Sequence, residues 1–253
     1  MVNVYRGELI ESIHQGDIVV VDKDGKLLYE FGDKDKITYW RSAAKPVQAL
    51  DVVSSGAAEK YNLSDEEIAV MCASHSGEDR HVEVVRGILD KIGLDESYLE
   101  SGTHPPLHKK TARRLCKNGE KATEMRNNCS GKHAGMLTLC QYYGWDSKNY
   151  PSLDHKLQQH LLNIVSEITD YPKEKIYKGV DGCGVVVYGM PLKNMAYAFA
   201  RLSAPETLAK KYQDAAKRIT KSMEEYPQLV AGTKRFNTEL LKAANGEFFA
   251  KSG

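Results

Sequence analysis

The chain has 253 residues and carries 35 Lys and Arg against 34 Asp and Glu, for a formal net charge of +1. A charge this close to zero gives no general electrostatic pull toward nucleic acid or an anionic membrane. Hydrophobic residues make up 42%, and no apolar run is long enough to span a bilayer. The 5 cysteines, with no signal-like segment at Met1–Arg6, point to reduced thiols and a cytoplasmic protein.

Residues 1–40 read as strands. The β-branched run Ile18–Val21 is followed by an Asp-Gly turn at Asp24-Gly25, and Leu27–Phe31 returns as the second arm of a hairpin. Ile37–Trp40 leads into Arg41-Ser42-Ala43-Ala44-Lys45-Pro46. Residues three apart on a helix share a face, so Ser42 and Lys45 can touch. A serine needs a neighbouring base to become a nucleophile, and a lysine with a lowered pKa can serve. Pro46 fits a first helical turn, which places Ser42 at a helix start.

Residues 51–178 read as mostly helical. Ser64–Glu67 is a capping box. The cluster Ala73-Ser74-His75-Ser76-Gly77-Glu78 reads as an active-site loop. A helix around 108–118 follows, and Asn128-Cys129-Ser130-Gly131-Lys132-His133 feeds another that ends near Tyr143. Asp181-Gly182-Cys183-Gly184 precedes the buried strand candidate Val185–Tyr188. Helices are expected over 190–202, 206–224 and 227–244, and a strand from Phe248. This order predicts a single α/β domain over 1–253 of the α+β kind. An antiparallel sheet part (about 1–50 and 180–253) would carry a helical part (about 51–179).

Four motifs now stand in sequence: Arg41–Pro46, Ala73–Glu78 with Arg80-His81, Asn128–His133 and Asp181–Val185. In this order and spacing they resemble the asparaginase II family, the Rhizobium-type (class 3) bacterial L-asparaginases, and the resemblance covers essentially the whole chain. It implies a fold like the serine β-lactamases and penicillin-binding proteins, hydrolysis of L-asparagine to L-aspartate and ammonia, and a homodimer. Carried over by motif, Ser42 and Lys45 form one catalytic pair, Ser74 is a second active-site serine, and Lys251 is the lysine paired with it. Cys129, Lys132 and Cys183 match zinc ligands. Family members run on beyond the motif at Lys251, so C-terminal strands are expected to be missing here. An amine three residues from the chain end is then expected to be frayed, solvated and protonated.

In this reading Ser42 attacks the amide with Lys45 as base. Ser74 with Lys251 either relays protons or supplies the nucleophile. His75 either contacts the substrate carboxylate or bonds to backbone. Arg80 either pairs with the α-carboxylate or is a solvated charge. His133 is either a neighbour supporting Lys132 or exposed. Cys72, Cys116 and Cys140 read as core. Two rivals remain: another Ser-x-x-Lys hydrolase, such as a glutaminase or β-lactamase-like enzyme, and a non-catalytic zinc-stabilised binding protein.

Overall fold

A computed structural model describes residues 1–253. The alternating N-terminal segments fold as hairpins. Strand β1 (Val2–Arg6) pairs antiparallel with β2 (Leu9–His14), and β3 (Ile18–Val21) with β4 (Leu27–Phe31). In the second turn the Asp22 carboxylate accepts from the N–H groups of Asp24 and Lys26, which explains the turn chemistry of the Asp-rich stretch. Each hairpin is its own two-stranded sheet, and Val4, Leu9, Ile13, Val20 and Phe31 remain exposed.

Strand β5 (Ile37–Tyr39) joins β6 (Tyr177–Val180) and β7 (Val186–Pro191) in an antiparallel sheet of order β5-β7-β6. β7 is buried along its whole length, as its unbroken apolar run predicts. The expected division into sheet and helical parts holds only loosely. β6 starts at Tyr177, inside the stretch assigned to helices, and no strand follows Pro191. Phe248–Ala250 forms no strand either, because its backbone meets no ladder partner. About half of the chain is helical, giving a mixed α/β protein with small antiparallel sheets.

Eight helices exceed six residues: α1 (Asp65–Met71), α2 (Asp79–Lys91), α3 (Lys109–Lys117), α4 (Ser130–Tyr143), α5 (Lys156–Thr169), α6 (Leu192–Ser203), α7 (Lys210–Glu225) and α8 (Phe236–Ala244). The capping box forms at α1, where Ser64 and Glu67 bond each other's backbone N–H groups. Helix α4 runs through the core, buried from Ser130 to Cys140. It lies so close to α1 that a Cβ on Gly131 would fall 2.1 Å from the Val70 carbonyl oxygen. The expected helix over 227–244 is split into a short turn, Pro227–Val230, and α8. Gly232 makes the break with φ of 123°, and any Cβ there would sit 1.9 Å from the Ser76 hydroxyl.

Cys72 and Cys140 are buried as expected, but Cys116 is exposed on the polar face of α3. No helix is long and apolar enough to cross a membrane.

Candidate active site

The Ser42 turn follows directly from β5. Trp40 donates its N–H to the Tyr188 carbonyl at 2.8 Å, closing the β5–β7 pairing. Arg41 then takes φ of 53°, a left-handed conformation that is uncommon for a non-glycine residue. Its guanidinium lies 3.2 Å from Asp181, which ties the Ser-x-x-Lys motif to the Asp-Gly-Cys-Gly turn.

Ser42 lies in a 3-10 turn (Arg41–Ala44) that runs into Lys45–Gln48. Its hydroxyl makes no hydrogen bond to the protein. Lys45 is only 2% exposed, and its amine reaches the Ala73 carbonyl, the Ser74 hydroxyl at 3.1 Å and the Cys129 thiol at 3.3 Å. The expected Ser42–Lys45 hydrogen bond therefore does not form. The face-sharing argument presumes one continuous α-helix, whereas the two residues sit in different helical elements. The inward acceptors also capture the amine.

The segment 73–78 is an extended loop held from both sides. Ser74 N–H donates to Val230 O at 3.0 Å, and His75 N–H to Asn128 O at 3.1 Å. The Ser74 hydroxyl then stands between two lysines, Lys45 at 3.1 Å and Lys251 at 2.9 Å. The expectation of a frayed, solvated Lys251 is overturned. Asn237 bonds the backbone on both sides of it, and Gly253 lies against Trp40 and Ala43. Burial, with the charge of Lys45 next, pushes the Lys251 amine down to about 6. Burial also lowers Lys45, while the Cys129 thiol opposes that shift.

Cys129 closes the turn before α4, and Lys132 stands one helical turn on. Lys132 Nζ lies 2.9 Å from the Cys183 thiol, and Cys183 neighbours Cys129. The Cys183 thiol, aided against burial by Lys45 and Lys132, draws Cys129 toward the thiolate. Burial disfavours charge on Lys132, but Cys129 and Cys183 outweigh it and raise its pKa. The two thiols and one amine expected as zinc ligands are thus brought together in a buried cluster. No three His, Cys, Asp or Glu side chains stand together, so a metal here would need Lys132 as its third protein donor. Two thiolates with a nitrogen donor fit the chemistry of zinc.

The two residues expected to bind substrate are held by other protein groups. His75 is fully buried; its Nδ1 accepts from the Gly77 N–H and its Nε2 bonds the Ser130 hydroxyl at 2.9 Å. Burial, and then the neighbouring His81, hold its pKa well below the ordinary value, so it is a neutral pin between the Ser74 loop and α4. Arg80 is exposed and gripped by both oxygens of Glu66 at 2.6 Å, a partner on α1 that leaves it turned to the surface. His133 is buried and bonds the Tyr150 hydroxyl at 2.6 Å. The Arg41–Asp181 link was within reach of the sequence, since each residue opens one of the four motifs. Asn237 carries no such signal: it lies in a stretch with no motif at all.

The four motifs therefore converge on one centre, where Ser42, Lys45, Ser74, Lys251 and the Cys129–Lys132–Cys183 cluster come together. Comparison with curated proteins finds no individual match. The family model described as L-asparaginase II matches residues 2–253, the whole chain but its first residue. With that match and the convergence of its four motifs, the chain belongs to the L-asparaginase II family.

Proposed function

We propose that this protein hydrolyses L-asparagine to L-aspartate and ammonia, with Ser74 as nucleophile and Lys251 as its base. The observation that carries this reading is the placement of the Ser74 hydroxyl between two amines of different character. Lys45 has three acceptors around its nitrogen and serves as a hydrogen-bond donor to Ser74. Lys251, with its pKa near 6, is a neutral amine at pH 7 and accepts the Ser74 proton.

The chemistry follows. Ser74 Oγ bonds to the amide carbon while its proton moves to Lys251 Nζ. Collapse of the tetrahedral intermediate breaks the C–N bond, and Lys251 returns the proton to the departing nitrogen, releasing ammonia. Water, giving a proton to the same amine, then attacks the aspartyl ester; the C–Oγ bond breaks, and Lys251 returns that proton to Ser74 Oγ as aspartate leaves. Lys45 stabilises the negative oxygen of Ser74 as it develops. Ser42, with its uncommitted hydroxyl on the adjoining turn, is assigned to hydrogen-bond the substrate. A zinc ion would be held by Cys129, Lys132 and Cys183, and when bound would supply a Lewis acid beside the centre.

Ammonia release from L-asparagine, with L-glutamine as the paired substrate, tests the reading. Faster turnover of asparagine supports it. Preference for glutamine would favour the glutaminase rival, and no release from either would favour a binding protein.

A further inference from the structure

Lys251 sits in a stretch that has no regular secondary structure. From Phe248 to Gly253 the backbone makes no hydrogen bond to another backbone group. Something else must fix the amine on Ser74, because a segment without backbone ladder bonds is held only by what its side chains and its neighbours' side chains supply.

Two anchors are visible. One is apolar: Phe249 stacks on Phe199 with ring centroids 5.3 Å apart, and Phe199 meets Trp40 edge-on at 6.2 Å. The other is polar and brackets Lys251. Asn237 Nδ2 donates to the Ala250 carbonyl at 3.0 Å, and Asn237 Oδ1 accepts from the Ser252 N–H at 3.1 Å. The two ends of one primary amide satisfy a carbonyl before Lys251 and an N–H after it. The carbonyl and the N–H also fix which end of the amide is oxygen. Asn237 is itself 6% exposed, so its end of both bonds is shielded from water.

Asn237 is well placed to act as a reference point. It opens α8, and the loop before α8 is tied to the Ser74 loop. Thr233 donates through its N–H and hydroxyl to Glu78, and the Thr238 hydroxyl accepts from the Gly232 N–H and donates to the Gly232 carbonyl. Ser74 N–H bonds Val230 at the other end of that stretch. Both partners of the Ser74–Lys251 contact are therefore fastened to the same segment, 230–238.

We propose that Asn237 is the positioning residue that holds Lys251 against Ser74. This rests on the reading that Ser74 and Lys251 carry the chemistry. The charged and titratable groups around the Lys251 amine are Lys45, Cys129, Cys72 and Arg235. None of them hydrogen-bonds the Asn237 side chain, so removing the amide releases the tether and keeps those charged groups.

The test is competitive acylation of lysine amines in the full chain across pH, read by mass spectrometry, alongside asparagine turnover. Only a neutral amine reacts. In the wild type Lys251 is expected to reach half-maximal labelling near pH 6. In Asn237→Ala the midpoint is expected to move up by two pH units or more as the amine becomes solvated. kcat should fall about 10- to 100-fold with KM changed less than threefold. Circular dichroism checks folding, and Asn237→Ser, too short to span both partners, replaces the alanine variant if that one is unfolded. A folded variant with the wild-type labelling midpoint overturns the proposal, whether or not turnover falls. If the wild type releases no ammonia from asparagine, the amidase reading fails, and the labelling midpoint still decides the role of Asn237.

Discussion

Lys251 and Ser74, 177 residues apart in the chain, meet at 2.9 Å between amine and hydroxyl. Lys45 reaches the same hydroxyl from the opposite motif. The serine hydroxyl thus stands between two amines. His75, next to Ser74 in sequence, bonds the Gly77 N–H and Ser130 instead.

The first prediction concerns pH. In the proposed reaction Lys251 acts only as the neutral amine, and its pKa is lowered to about 6. kcat/KM for asparagine is therefore expected to rise with pH through about 6 and level off above 7. A limb that instead rises above pH 8 would show an amine that keeps its proton, incompatible with a base at Lys251.

The second concerns metal content. Protein purified without chelator is expected to hold about one zinc per chain by elemental analysis, as a single closed ligand set would. Cys129→Ser/Cys183→Ser should lose it. Equal zinc in that double variant would remove the cluster from consideration.

The third concerns stability. Burial works to raise the pKa of Glu78, but bonds from the Ser76 hydroxyl and from Thr233 outweigh it and hold the pKa at about 2. A carboxyl whose folded pKa lies below its unfolded value stabilises the fold above the unfolded pKa. That gain disappears as pH falls from about 4.5 toward about 2. Glu78→Gln is expected to cost about 1–3 kcal/mol at pH 7 in urea unfolding. The gap to wild type should close toward pH 2. A constant gap would mean that the carboxylate charge contributes nothing.

Much of the site was legible in the sequence because its members lie in short, polar, glycine-marked motifs. Ser74, Cys129, Lys132 and Cys183 sit in loops or helix starts whose residue types betray them. Pairing was not legible. Spacing joins Ser42 to Lys45, but the fold brings Lys45 to Ser74, since nothing local encodes a carbonyl and a thiol waiting inside. Likewise Arg80 looks like a free cation until α1 supplies Glu66. Asn237 is invisible because its task depends on two backbone groups more than ten residues away. Among the strands, the Val185–Tyr188 run was plain, while Phe248–Ala250 has a strand's composition and lacks a partner edge.

The most direct test of the central claim is to identify the residue that carries the acyl group. The protein is mixed with excess L-asparagine, quenched in acid during steady state and mapped by peptide mass spectrometry. Ser74→Ala and Ser42→Ala are carried through the same protocol. The aspartyl adduct is predicted on the peptide containing Ser74. It should be absent in Ser74→Ala, with turnover lowered at least 10³-fold, and retained in Ser42→Ala, with turnover reduced mainly through KM. An adduct on Ser42 that persists in Ser74→Ala would contradict the account and make Ser42 the nucleophile.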